Sequence, residues 1–133
     1  LFYQKKYGLE KPYYAAVGGL FNIGDTPLEC AHRELLEETG LETKEMIYLG
    51  KYRVQVNRGG GILHAFYAKN SIPSQLKKHS DDYEKQEKRL LTRQELIDIV
   101  LKGEVGEAQW LATIAIGLLY EEHLEHHKKT ASN

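Results

Sequence analysis

The stretch that decides how this chain is interpreted is Arg33-Glu34-Leu35-Leu36-Glu37-Glu38-Thr39-Gly40-Leu41. Its glutamates Glu34, Glu37 and Glu38 stand at i, i+3 and i+4, so a helix places all three on one face. Like charges at that spacing repel one another, and the carboxyl end of a helix disfavours negative charge. The arrangement opposes helix stability, which directs attention to a ligand that would compensate for the repulsion.

A divalent cation is one such ligand, and hydration of the glutamates by solvent is the alternative. Mg²⁺ prefers oxygen ligands and keeps several waters, so carboxylates on one face could hold it against a substrate phosphate. The alternative is a solvated acidic face, which is the commoner meaning of three glutamates taken alone.

The residues around this stretch predict a helix with defined ends. Thr26 is a suitable N-cap, Pro27 suits the first helical position, and Glu29 completes a capping box. Gly40 is placed to end the helix as a C-cap. The apolar residues that would face the core are Leu28, Ala31, Leu35 and Leu36.

The remaining segments alternate between strand and helix patterns. Strands are predicted over residues 1–4, 11–17, 46–57, 61–67 and 88–91, with a long loop over 70–87. A helix over 92–102 begins with a second capping box, and the last helix covers 107–127. Its predicted buried residues are Leu111, Ile114, Leu118 and Leu119. This mixture predicts one layered α/β domain over residues 1–133.

The composition excludes several classes of protein. The chain has 133 residues, 18 Lys and Arg against 19 Asp and Glu, and a formal charge of −1. That balance favours neither nucleic-acid nor membrane binding. The single cysteine, Cys30, cannot form an internal disulfide, so we expect a cytoplasmic protein and a packed thiol. Because the sequence starts with Leu1 inside a strand pattern, we also expect further sequence upstream.

The motif becomes specific when it is extended toward the amino terminus. Gly19, five residues, Asp25, seven residues and then the stretch from Arg33 to Leu41 resemble the Nudix box. All fixed positions of that pattern match except one, because Asp25 stands where the family has glutamate. The resemblance implies an α/β/α sandwich with a mixed β-sheet and Mg²⁺-dependent attack of water on a diphosphate, with Mn²⁺ able to replace Mg²⁺.

The resemblance also implies a role for each residue of the box. Glu34 and Glu38 would be the principal metal ligands, and Glu37 would be a further ligand or would help to deprotonate the water. Arg33 would hold the glutamates in place through ion pairs. The carbonyl oxygen of Gly18 matches a backbone metal ligand of the family.

Outside the box, the chain resembles the branch of ADP-ribose and ADP-sugar pyrophosphatases. Residues 2–7 are similar to the first core strand of that branch, and the carboxyl half follows its order of elements. An acidic residue of the late loop contributes to catalysis there, which implies a base role for Glu84 and a substrate or metal role for Asp82; a plain charged loop is the alternative interpretation. Residues 14–18 and 56–59 depart from the branch in segments that shape its nucleoside and ribose pocket. The branch also implies a homodimer.

Several other residues have both a functional and a plain structural interpretation. Arg58, among glycines, could bind phosphate, although a hairpin turn is the simpler interpretation. Trp110 is predicted to lie in the core, and His64 could face either side of its strand.

The leading hypothesis is an enzyme that cleaves a nucleoside diphosphate linked to another group. A nucleotide-binding sensor without hydrolytic activity is the alternative, and an RNA-end hydrolase is less favoured.

Overall fold

The computed structural model describes residues 1–6, 8–76 and 87–131, apart from the side chains of residues 129 and 131. Within these ranges three helices accompany seven short or medium strands. The helices are α1 (Pro27–Thr39), α2 (Arg93–Leu101) and α3 (Ala108–Ala131). The strands are β1 (Phe2–Gln4), β2 (Tyr13–Ala15), β3 (Leu41–Glu42), β4 (Glu45–Arg53), β5 (Ile62–Lys69), β6 (Ile72–Pro73) and β7 (Glu87–Lys88). The predicted α/β fold class is confirmed.

Helix α1 begins and ends where its capping residues predict. The Thr26 hydroxyl accepts a hydrogen bond from the Glu29 amide at 3.3 Å, and the Glu29 carboxylate accepts one from the Thr26 amide at 2.9 Å. Gly40 adopts the left-handed conformation with φ of 70° and donates to the Leu36 carbonyl. Leu35 is buried, whereas Leu28 is 46% exposed, so the predicted apolar stripe is wrong at its amino-terminal end.

The long hairpin of β4 and β5 is the largest strand pair described. It pairs antiparallel from Glu45 opposite Lys69 to Arg53 opposite Ile62, with a bulge between Tyr48 and Gly50. The predicted strand over 46–57 stops at Arg53, because the chain then turns through a short 3₁₀ helix, Val56–Arg58. This helix replaces the simple turn that the glycines predict.

Two smaller sheets complete the described strands. One has the order β2-β1-β7 with antiparallel neighbours, and it buries Phe2 and Ala15. The other is the pair of β3 and β6, which the sequence does not predict because each has only two residues. Tyr14 of β2 also forms an isolated parallel bridge with Val105, which lies between α2 and α3.

Helix α3 packs against β5 and contacts α2. Ile114 is buried, as predicted, but Leu111 is exposed and Leu119 is 69% exposed. The prediction that Leu111 and Leu119 face the core is wrong. Other elements cover one side of the helix, whereas its apolar residues occur around the whole helix. Over the described residues, no helix is both long and apolar enough to cross a membrane.

Candidate active site

Arg33 is the centre of the ion-pair cluster on α1. Its Nη1 atom lies 2.6 Å from Glu34 Oε1 and 3.3 Å from Glu37 Oε2, while Nη2 lies 3.0 Å from Asp25 Oδ2. Nη2 also donates to the Leu20 carbonyl oxygen at 3.0 Å. These contacts raise the pKa of the Arg33 guanidinium, with the hydrogen bond to Asp25 contributing most. A fixed positive charge therefore holds two of the box glutamates and the loop that precedes the helix.

Asp25 anchors Arg33 from the loop side. The Asn22 amide donates to Asp25 Oδ2 at 2.9 Å, and the Asp25 amide donates to the Asn22 carbonyl, which closes a tight turn. The bond from Asn22 and then that from Arg33 hold the pKa of Asp25 below its usual value. The one residue that departs from the family pattern thus has a defined partner, and this partner is the arginine.

The backbone at Gly18 and Gly19 lies directly against the glutamates. The Gly18 amide donates to Glu38 Oε2 at 3.0 Å. A Cβ atom at position 19 would lie 2.5 Å from Glu34 Oε2 and closer still to the rest of that carboxylate. Glycine at position 19 therefore lets the Glu34 carboxylate approach the main chain, a packing requirement that the bare motif does not explain.

The donor set of this cluster suits a hard divalent cation. Glu34, Glu37 and Glu38 supply carboxylate oxygens, and Gly18 supplies a carbonyl, which are the ligand types that Mg²⁺ prefers. No group of three acidic, histidine or cysteine side chains is arranged as a metal site within the described part of the chain. Arg33 pairs with Glu34 and Glu37, and Glu38 Oε2 accepts a hydrogen bond from the Gly18 amide. The chemistry of the residues fits the cation, which would share these carboxylates with Arg33.

A cavity of about 400 Å³ adjoins the cluster. Glu34 of the cluster lines the cavity together with Gly18 and Gly19, so a ligand in the cavity would reach the Glu34 carboxylate directly. The rest of the wall comes from α1, the β4–β5 hairpin, the loop after β2 and the first turns of α3. Its mostly apolar residues include Val17, Phe21, Cys30, Ala31, Leu35, Met46, Leu63, Phe66 and Trp110.

The structure brings together only part of the predicted set. Arg33, Glu34, Glu37, Glu38 and Gly18 lie together, as described above. Arg58 is exposed in the 3₁₀ helix, does not line the cavity, and makes no side-chain bond to the described residues of the cluster. The positions predicted for Asp82 and Glu84 lie outside the described residues.

Residues of the cavity were not assigned to the site from the sequence. Trp110 is predicted as a core residue, yet it is partly exposed and lines the cavity, so that prediction is wrong. His64 also faces the cavity, and its Nδ1 atom lies 3.2 Å from the Tyr48 hydroxyl. Gln109 and Thr113 have no distinguishing sequence signal, because single polar residues in the first turns of a helix are ordinary. Cys30 is buried, which confirms its predicted packing.

Comparison with protein families gives one match to nearly the whole chain. The family model described as NUDIX domain matches residues 1–130. The matched range includes the ion-pair cluster and every residue described around the cavity.

Proposed function

The chain belongs to the NUDIX-domain family, and on that premise we propose that it hydrolyses ADP-ribose or a related nucleotide sugar with Mg²⁺ or Mn²⁺. The family makes it a pyrophosphohydrolase that acts on a nucleoside diphosphate linked to another moiety. The observation that supports the proposal best is the grouping of Arg33, Glu34, Glu37 and Glu38 against the Gly18–Gly19 backbone, beside a ligand-sized cavity.

The carboxylates and one backbone carbonyl would bind the cation together. Glu34 and Glu38 are proposed as its main ligands, with Glu37 and the Gly18 carbonyl as further ligands. When Mg²⁺ is bound, it neutralises phosphate charge and lowers the pKa of a water molecule. Arg33 keeps Glu34 and Glu37 from separating, because its guanidinium bridges both of them and is itself fixed by Asp25.

The reaction needs a group that accepts the proton of the attacking water. A box glutamate, Glu37 or Glu38, is proposed for this role, since each is a carboxylate of the cluster. Water adds to one phosphorus atom of the diphosphate, and the bond from that phosphorus to the bridging oxygen breaks. The products are a nucleoside monophosphate and a sugar phosphate. Glu84 stays a sequence prediction for the base, as does Asp82 for substrate binding.

The adenine and sugar parts of the proposed substrate rest on the weaker resemblance of the chain outside the box. The cavity supports a substrate with a group attached next to the diphosphate, because Glu34 of the cluster lines the cavity together with Gly18 and Gly19. Homodimer formation and the lack of nucleic-acid and membrane partners remain predictions.

The test is a hydrolysis screen with and without Mg²⁺ over ADP-ribose, other nucleotide sugars, dinucleoside polyphosphates and NADH. We expect Glu38→Gln to reduce turnover of ADP-ribose by at least about 100-fold, because losing even an outer-shell partner of a metal typically costs about 10–100-fold. The melting temperature should hardly change. Glu104→Gln is the matched control, because Glu104 is exposed and belongs neither to the ion pairs of Arg33 nor to the cavity wall.

Each outcome of the screen has a distinct meaning. Full activity of Glu38→Gln would contradict the ligand assignment. Turnover of a different diphosphate would keep the chemistry and remove ADP-ribose as the substrate. Nucleotide binding without any product, measured by chromatography, would favour the sensor alternative.

A further inference from the structure

We propose that the cavity beside the cluster binds the nucleobase of the substrate, and that the side-chain amide of Gln109 recognises the edge of that base. The proposal rests on the proposed function, since it concerns the same substrate. It assigns an orientation, with the base in the cavity and the second moiety of the substrate directed away from it.

The first step in the argument is the chemical character of the wall. Aromatic and aliphatic side chains dominate it, and the polar side chains that it contains are Glu34, His64, Gln109 and Thr113. A terminal ribose carries several hydroxyl groups, and burying each one without a hydrogen-bond partner is unfavourable. A planar base instead buries two apolar faces and needs partners along its edge alone. The wall therefore suits the base better than the sugar.

The second step is the state of the polar side chains in the wall. Glu34 is engaged by Arg33, the Tyr48 hydroxyl lies beside His64 Nδ1, and the Thr113 hydroxyl donates to the Gln109 main-chain carbonyl at 2.9 Å. The Gln109 side-chain amide makes no hydrogen bond to the residues that the structure describes. It is thus the polar group of the wall that has both a donor and an acceptor to offer a ligand.

The third step is the match between an amide and a base. A glutamine amide pairs bidentately with the amino group and ring nitrogen of adenine, because each side offers one donor and one acceptor. A carboxylate offers two acceptors, which match the adjacent N1 and N2 donors of guanine instead. The identity of residue 109 should therefore set a preference between these bases.

Trp110 gives a direct test, because it is the single tryptophan of the chain and it lines the cavity. Its fluorescence is measured while AMP or ribose 5-phosphate is added, each a monophosphate and each in Mg²⁺. We expect saturable quenching by AMP and none by ribose 5-phosphate. Quenching by ribose 5-phosphate that equals or exceeds that by AMP, or no response to AMP, would overturn the proposal. The measurement needs no turnover, so it remains decisive if hydrolysis fails.

The second test compares the adenine and guanine forms of one nucleotide sugar. Gln109→Glu should shift the ratio of their kcat/KM values toward guanine by at least about tenfold relative to the wild-type protein, which corresponds to about 1.4 kcal/mol. Gln94→Glu on α2, which makes the same change outside the cavity, should leave the ratio unaltered. Hydrolysis with an unaltered ratio in Gln109→Glu would overturn the role of Gln109. If no form is hydrolysed by the wild-type protein, the proposed function has failed, and the fluorescence result alone decides where the base binds.

Discussion

Replacing Gly19 with alanine moves one carboxylate of the cluster without removing it. The new Cβ atom would lie 2.5 Å from Glu34 Oε2, whereas ordinary contact begins near 3.4 Å. The Glu34 carboxylate must therefore shift by about 1 Å, and a misplacement of that size costs up to about 100-fold in rate. The group that must move is the end of a flexible side chain, so the fold should survive. We expect kcat for the nucleotide substrate to fall by about 100-fold while the melting temperature changes little.

The assay measures Mg²⁺-dependent release of nucleoside monophosphate by Gly19→Ala, alongside thermal unfolding monitored by circular dichroism. Gly61→Ala is the matched control, because a Cβ atom there meets no neighbouring atom within 4 Å. Wild-type turnover by Gly19→Ala would refute the argument that the position of Glu34 matters to the chemistry. A collapse of the melting temperature would refute it differently, by showing that glycine at position 19 serves the main-chain fold.

Two further predictions concern the dependence of stability on pH. The pKa of Asp25 is lowered in the folded protein, so its contribution to stability is present above its ordinary value of 3.8 and is lost as the pH falls through the folded pKa. The melting-temperature difference between the wild-type protein and Asp25→Asn should therefore be constant near neutral pH and shrink as the pH falls below 3.8; a difference that stays constant into acid would count against it. Burial, followed by the hydrogen bond to Glu121, raises the pKa of Tyr67 to about 12 from an ordinary 10.0. Its contribution is full below pH 10.0 and is lost as the pH rises toward 12, so the advantage of the wild-type protein over Tyr67→Phe should shrink in that interval, and a constant advantage would contradict the assignment.

The helices could be predicted from the sequence because their limits depend on local chemistry. The capping boxes at Thr26 and Thr92 and the glycine at position 40 are contacts between residues a few positions apart, and the structure forms all of them. The same signals predict the order of the three helices. The two-residue strands β3 and β6 were missed, since so short a pairing is decided by distant partners and has no periodicity of its own.

The cluster could be predicted from the sequence, whereas the cavity could not. Spacing along one helix brings Glu34, Glu37 and Glu38 to one face, so the sequence was sufficient to group them. The wall of the cavity combines residues from α1, the hairpin and α3, and no local pattern shows that Trp110 borders it. Leu119 illustrates the same difficulty, because an apolar residue in a helix does not reveal which face another element covers.

The bulge between Tyr48 and Gly50 has a consequence for the route by which the chain folds. Two strands of regular pleat can align in several registers, and a slip by one residue turns every side chain to the opposite face. The irregularity at Gly50, where φ is 129°, allows the correct alignment to be distinguished from its neighbours, because the glycine must occupy the distorted position. Hairpin contacts are also close in sequence, which lowers the entropic cost of forming them early. The bulge thus disfavours misaligned registers of the hairpin.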